Sequence, residues 1–232
     1  MLDELADRGL DGWRLEHVAE RQHQAFVPLV RATKNGHPRQ DFQAAARAVT
    51  ATGVADPLIV EVGCGSGYYS EALQVLLRRR IRYIGVDYAS SMIALARRAY
   101  PNEPFVTGDA CRLPFRARTC DIVFSGVSLM HIPDYPLAVA ESVRVSRAWC
   151  VFHTVPVMVH RQTTVLRKRA YGEPVIEVIF NQGEIEALFR ARGLAIRSVY
   201  ENIPYDVSSV VGERTWTVTY LCETTAAGPG AE

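Results

Sequence analysis

The chain has 232 residues, enough for one α/β domain with its own hydrophobic core. Its 26 Lys and Arg nearly balance its 25 Asp and Glu, so the net charge of +1 favours no polyanion, and nucleic acid is not the expected partner. No apolar run approaches the roughly 18 residues that cross a membrane, and the acidic N-terminus is unlike a secretory signal. The five scattered cysteines lack zinc-ligand spacing, which predicts reduced thiols, no metal site and a cytoplasmic location.

The N-terminal part of the chain has a helical pattern. Apolar residues recur at helical spacing over residues 13–34, where Pro28 predicts a kink or a break. A turn at 35–38 separates this segment from a second predicted helix over 40–52. We therefore predict a helical cap over residues 1–54 that shapes a pocket in the domain that follows.

From residue 55 the chain alternates short apolar runs with helical patterns, which is typical of βαβ units and a parallel sheet. Helices are expected over 69–77, 91–100 and 137–145, and after a capping box at 181–184. Residues 226–232 are rich in Gly, Pro and Ala and predict a flexible tail beyond a domain of residues 55–225. The predicted strands are 58–62, 82–86, 105–107, 121–124, 149–154, 196–200 and 215–221.

A hydrophobic strand runs directly into three glycines at alternate positions, Gly63, Gly65 and Gly67. Glycines permit positive φ and let the backbone approach a ligand, and the helix that follows offers free N–H groups to an anion. Dinucleotide-binding domains prefer the wider GxGxxG spacing, which weighs against a nicotinamide-dependent oxidoreductase. A turn of this kind alone is weak evidence, because tight strand-to-helix turns also occur for packing.

Three further patterns follow in order along the chain and strengthen the interpretation of the glycine turn as a ligand site. The second strand ends in Asp87, Gly108-Asp109-Ala110 follows the third, and the fourth leads to Ser125. Together with Glu61 and the glycines, this order resembles class I S-adenosylmethionine (SAM)-dependent methyltransferases. The resemblance implies a Rossmann-like three-layer fold, with a seven-stranded, mostly parallel sheet and an antiparallel last strand.

The resemblance also implies roles for particular residues. The glycines would lie beneath the methionine part of SAM, with Glu61 ordering the turn, and Asp87 would hold the ribose hydroxyls. Asp109 and Ala110 would contact adenine. The full set of expected SAM-binding residues is Glu61, Gly63, Cys64, Gly65, Gly67, Tyr68, Asp87, Tyr88, Met92, Asp109, Ala110, Ser125 and Gly126.

Methyl transfer to a hydroxyl or protonated amine needs a base, for which histidine is well suited. His131 follows the fourth strand, at the sheet edge where SAM would lie, and is the first candidate. His153, at the end of the fifth strand, and His160 are the alternatives, although such residues also serve for packing alone. The basic stretch 160–177 fits either cations that bind an acidic acceptor or a solvated helix face.

Several acceptor classes are disfavoured. The chain has Ser125-Gly126-Val127-Ser128 where methyltransferases of nucleic-acid bases carry an Asn/Asp-Pro-Pro-aromatic run. Ser125 is also not the acidic ligand of metal-dependent catechol enzymes. We therefore expect a small-molecule acceptor, such as a saccharide or natural product, methylated on oxygen or nitrogen. A SAM-binding sensor without turnover and an RNA methyltransferase are the alternatives, and the oligomeric state stays open.

Overall fold

The computed structural model describes residues 9–225, so the predicted tail over 226–232 lies outside the described residues. Within these residues the fold is mixed α/β, with nine strands in one sheet. The strands are β1 (Leu58–Val62), β2 (Arg82–Asp87), β3 (Phe105–Thr107), β4 (Cys120–Gly126), β5 (Ser146–Met158), β6 (Thr164–Ala170), β7 (Glu173–Asn181), β8 (Leu194–Glu201) and β9 (Trp216–Thr224). The helices are α1 (Glu16–Lys34), α2 (Gln40–Ala51), α3 (Tyr68–Leu77), α4 (Ser90–Ala99), α5 (Tyr135–Val145), α6 (Gln182–Ala191) and α7 (Ser208–Val211).

The predicted sheet is confirmed in its class and in its antiparallel last strand. The order β3-β2-β1-β4-β5 is parallel throughout, and β9 runs antiparallel to both β5 and β8. The strand order reverses beside β1, whose neighbours are β2 on one side and β4 on the other. In open α/β sheets such a reversal leaves a crevice at the carboxyl ends of the strands.

Alternating strand residues divide the core between the two faces of the sheet. Val60 and Val123 pack with α5 and α6, whereas their neighbours Ile59 and Ile122 pack with α1, α2 and α3. Because successive side chains of a strand point to opposite faces, this division shows helices on both sides. The described residues thus form three layers, helices, sheet and helices, as predicted.

Two strands were not predicted from the sequence. The stretch that we interpreted as a possible solvated helix face is a hairpin of β6 and β7, so that interpretation is wrong. The side chains of β6 alternate between half-buried and exposed positions, with Val165, Arg167 and Arg169 exposed. Tyr171 and Gly172 form its two-residue turn with φ of +53° and +93°, as a type I′ turn requires.

The N-terminal helices pack directly on the rest of the domain. Val30 of α1 and Phe42 of α2 are buried in the same cluster as Tyr69 of α3. α1 runs through Pro28 without a break. The boundary at residue 54 stays a prediction. Across residues 9–225, no helix combines the length and apolar character needed to cross a bilayer.

The junction from β1 to α3 depends on Gly67, which has φ of +82°. A Cβ there would lie 2.6 Å from the ring of the buried Phe105. The junction therefore needs glycine both for its backbone angle and for close packing of the helix on the sheet.

We expect Gly67→Ala to lower the free energy of unfolding by about 2–4 kcal/mol, from positive φ and overpacking together. Gly53 is the matched control, because its φ is +68° but a Cβ would meet nothing within 4 Å. Gly53→Ala should therefore cost only the backbone part, about 1–2 kcal/mol. Urea unfolding of both variants measures the difference, and equal losses would contradict the packing argument.

Candidate functional site

A cavity of about 590 Å³ opens at the carboxyl ends of β1, β2 and β4. Its volume lies in the range of small-molecule and cofactor sites. Ten of the thirteen residues predicted to bind SAM line it, namely Gly63, Cys64, Gly65, Tyr68, Asp87, Tyr88, Met92, Asp109, Ala110 and Gly126. The sequence patterns thus converge on one cavity.

The glycine turn is joined to the end of β2. The backbone N–H groups of Gly63 and Cys64 both donate to the carbonyl of Val86, at 2.8 and 2.9 Å. Gly63 has φ of +70° and Gly65 of +52°. A Cβ on Gly63 would lie 2.8 Å from the hydroxyl of Ser128, so the close packing of the turn against Ser128 requires glycine here.

Asp87 is buried at the end of β2, beside the glycine turn. Its Oδ2 accepts from the N–H of Gly65 and its Oδ1 from the N–H of Ala89, both at 2.9 Å. Burial raises the pKa of Asp87 to about 6, although these two hydrogen bonds favour the ionised form. Each carboxylate oxygen keeps a second lone pair for a ligand hydroxyl.

The loop after β3 forms another wall. The Oδ1 of Asp109 accepts from the N–H of Cys111 at 2.8 Å, which holds the loop in a tight turn. Across the cavity, the hydroxyl of Tyr88 donates to Asp11 at 2.8 Å. Met92 lines the cavity although it is almost fully buried, so it also packs in the core.

Three predicted residues lie outside the lining. Glu61 is buried behind the turn and accepts a hydrogen bond from the hydroxyl of Tyr83. Burial raises the pKa of Glu61 well above its usual range, although this bond acts in the opposite direction. Ser125 is buried and its hydroxyl lies 2.8 Å from that of Ser128, which does line the cavity. Gly67 is the packing junction described above.

His131 lines the cavity on a 3-10 turn (Leu129–His131) that follows β4. Its Nδ1 lies 2.7 Å from the carbonyl oxygen of Ile176 in β7. Because a carbonyl only accepts, Nδ1 carries a proton, and in the neutral ring Nε2 holds the lone pair. Burial lowers the pKa of His131, partly offset by this hydrogen bond, so the neutral form predominates at pH 7.

His153 does not line the cavity. Its ring is buried, with Nε2 2.7 Å from the hydroxyl of Tyr69 and Nδ1 2.8 Å from that of Thr219. Burial lowers the pKa of His153 to about 4. Both nitrogens are thus occupied in the core, which argues against His153 as a base. His160, the other alternative, is exposed and also lies outside the lining.

The roof of the cavity comes from segments that the motifs do not cover. Trp13 precedes α1, and its ring centre lies 4.9 Å from that of His131 and 6.0 Å from that of Tyr171 in the hairpin turn. The backbones of Asp11 and Val175 form a β-bridge, so the N-terminal segment is attached to the hairpin. Of the basic stretch 160–177, the cations do not line the cavity, whereas Tyr171 and Ile176 do.

Comparison with known proteins identifies the domain. A family profile described as "Methyltransferase domain" matches residues 60–152, which include the end of β1, the glycine turn, Asp87, Asp109 and β4. Residues 60–152 therefore match a methyltransferase domain, and the surrounding sheet has the fold of class I SAM-dependent methyltransferases. The observation that decides it is the agreement of this match with the cavity that the same residues build.

Individual relatives that match this part of the chain are also methyltransferases by name. A probable SAM-dependent methyltransferase of Mycolicibacterium smegmatis is 32% identical over 94 residues, 40% of this chain and 35% of that protein. A 2-phytyl-1,4-naphtoquinone methyltransferase of Thermosynechococcus vestitus is 31% identical over 88 residues, 37% of this chain and 39% of that protein. The match thus spans well under half of each relative.

A solved SAM-dependent methyltransferase from Methanosarcina mazei superposes with a TM-score of 0.59 at 16% identity. The superposition covers 77% of this chain and 98% of that one. At this level of identity the similarity concerns the fold, and it extends the agreement beyond the residues that the family profile matches.

The buried state of His153 predicts a pH effect on the stability of the methyltransferase domain. The folded pKa of about 4 lies below the ordinary value of about 6.5, so as pH falls the unfolded chain takes up a proton first. Between pH 7 and pH 5 this should cost the folded state about 2 kcal/mol.

Urea unfolding of wild type and His153→Gln at both pH values tests this expectation. The amide keeps hydrogen-bonding capacity toward Tyr69 and Thr219 but does not titrate, so the variant should lose this part of the pH dependence. Other groups contribute equally to both proteins and cancel in the comparison. Identical pH dependence in the two proteins would contradict the assignment.

Proposed function

We propose that this protein transfers a methyl group from SAM to an oxygen or nitrogen of a small-molecule acceptor. The observation that carries the proposal is that ten of the thirteen predicted SAM-binding residues line one cavity together with His131. Bound SAM supplies an electrophilic methyl group on a sulfonium. The protein's own task is then to hold the two reactants in line and to accept a proton.

The cavity offers hydrogen-bond acceptors that suit the nucleoside part of SAM. The second lone pairs on the Asp87 carboxylate suit two adjacent ribose hydroxyls, which can each donate one hydrogen bond. Asp109 and Ala110 line the wall where the resemblance expects adenine. Gly63 and Gly65 line the same cavity, where the resemblance expects the amino-acid end.

His131 is our candidate general base. Its lone pair on Nε2 would accept the proton that an acceptor hydroxyl or ammonium loses as its oxygen or nitrogen bonds to the methyl carbon. The bond to Ile176 fixes the tautomer, and the lowered pKa keeps the ring neutral at pH 7. A neutral imidazole is the form that can accept a proton.

The surroundings of His131 support a small organic acceptor. Trp13, Tyr171 and Ile176 give this part of the cavity an apolar and aromatic wall. An RNA methyltransferase would be favoured by an arginine-rich groove beside the site. Among the described lining residues the only arginine is Arg14, whose side chain pairs with Asp11 at 2.6 Å.

Calorimetric titration with S-adenosylhomocysteine and with NAD tests the cofactor. We expect micromolar binding of the first and none of the second. Release of S-adenosylhomocysteine from SAM in the presence of a panel of phenols, amines and saccharides then tests turnover. Binding without turnover across a broad panel would favour a SAM sensor, and no binding of the sulfur nucleoside would overturn the proposal.

For Asp87→Asn we expect the affinity for S-adenosylhomocysteine to fall about 10- to 100-fold, as for loss of hydrogen bonds to a charged group. Because the pKa of Asp87 is about 6, wild-type affinity should also rise between pH 5 and pH 7 as the carboxylate ionises. The variant should lose this rise. Asp56→Asn, at an exposed position outside the cavity, is the control and should change neither quantity.

For His131→Ala we expect kcat to fall about 10²- to 10⁴-fold, the usual contribution of a positioned base. The affinity for S-adenosylhomocysteine should change little. In wild type the rate should fall at acid pH as His131 gains a proton, below the ordinary histidine range because its pKa is lowered. His160→Ala is the matched control, and full turnover of His131→Ala at every pH would remove His131 as the base.

A further inference from the structure

The side chain of Gln22, from α1, lies on the glycine turn. Its Oε1 accepts a hydrogen bond from the backbone N–H of Ser66 at 2.9 Å. A Cβ on Gly65 would lie 2.8 Å from its Nε2, so the amide spreads across Gly65 and Ser66. Gln22 also lines the cavity, although it lies well before residues 60–152 that the family profile matches.

The hydrogen bond to Ser66 fixes which way the amide faces. A backbone N–H only donates, so the oxygen of Gln22 must be the atom beside it, and the NH₂ group takes the other side. Within residues 9–225, Nε2 has no hydrogen-bond partner. The cavity therefore receives two N–H donors from this amide.

Every backbone N–H group of the turn, from Gly63 to Gly67, already donates to an acceptor within the protein. The N–H groups of Gly63 and Cys64 are taken by Val86, that of Gly65 by Asp87, and that of Gly67 by the carbonyl of Cys64 at 2.9 Å. The N–H of Ser66 is taken by Gln22 itself. A carboxylate at this turn must therefore find its hydrogen bonds on side chains or on the N–H groups that follow at the start of α3.

Arg14 and His131, which also line the cavity, use N–H groups in contacts away from the glycine turn. Arg14 pairs with Asp11, and its guanidinium lies 5.2 Å from the centre of the Tyr88 ring, on the wall formed by the end of β2. The Nδ1 proton of His131 is bound to Ile176. The indole N–H of Trp13, which also lines the cavity, has no partner among the described residues, but it is Gln22 that lies against the glycine turn.

We propose that Gln22 binds the carboxylate of the cofactor's amino-acid end through its NH₂ group, while its oxygen stays on Ser66. This inference rests on the proposed function, because it takes SAM as the ligand. It makes α1 part of the cofactor site. α1 also carries Phe26, whose ring stacks on that of Tyr68 at 3.9 Å, and both rings line the cavity.

The test compares two ligands that differ only at the amino-acid end. 5′-Methylthioadenosine keeps the adenine, ribose and thioether of S-adenosylhomocysteine but has no carboxylate. For Gln22→Leu we expect the calorimetric affinity for S-adenosylhomocysteine to fall about tenfold or more, the effect of losing a hydrogen bond to a charge. The affinity for 5′-methylthioadenosine should stay unchanged, which also shows that the variant is folded.

Gln22→Glu sharpens the comparison, because it keeps an oxygen for Ser66 but places a negative charge where the amide donates. Gln22→Glu should lower the affinity for S-adenosylhomocysteine more than Gln22→Leu does, and it should again leave the affinity for 5′-methylthioadenosine unchanged. Gln24→Leu, at an exposed position of the same helix, is the matched control and should leave both affinities unchanged.

Two outcomes would overturn this inference while leaving the proposed function intact. One is equal binding of S-adenosylhomocysteine by wild type and both Gln22 variants. The other is an equal loss for the two ligands, which would mean that Gln22 only supports the shape of the turn. If wild type binds neither ligand, the proposed function fails as well, and the two failures are therefore distinguishable.

Discussion

The carbonyl of Val86 accepts hydrogen bonds from two consecutive N–H groups, those of Gly63 and Cys64, where β1 has just ended. The next N–H along the chain, that of Gly65, is bound by the Asp87 carboxylate at the end of β2. The glycine turn is therefore an extension of the parallel pairing between β1 and β2. This connection sets the floor of the cavity, and the direction in which α3 leaves the sheet follows from it.

Two buried carboxylates lie beside this connection, and a stability argument alone does not explain them. Glu61 and Asp87 lie on neighbouring strands, and burial raises the pKa of both. Glu61 is compensated by the hydroxyl of Tyr83, and Asp87 by two backbone N–H groups. Burying charge costs free energy even with such partners. Of the two, Asp87 lines the cavity, so we relate the free-energy cost of burying its charge to ligand binding.

The sequence patterns located what is local in the chain and missed what depends on distant partners. The strand-to-glycine junction and the capping of α6 by Asn181, which accepts from Glu184, are formed by residues close in sequence, and both were predicted. The β6–β7 hairpin was missed, although alternation from Val165 to Arg169 followed by Tyr171-Gly172 was its signal. Gln22 gave no signal, because its partner Ser66 lies 44 residues away.

The acceptor of this protein cannot be inferred from the names of its relatives, because the roof of the cavity lies outside the residues that match them. It joins two segments, the N-terminal residues and the hairpin, through the Asp11–Val175 bridge and a hydrogen bond from Arg21 to the carbonyl of Tyr171 at 2.6 Å. Both segments lie outside residues 60–152, which hold the matched methyltransferase domain. His131 lies within the matched residues, yet its tautomer is set by Ile176 of the hairpin. The matched residues therefore supply most of the predicted cofactor contacts, while segments outside them complete the cavity and set the tautomer of His131, the candidate base.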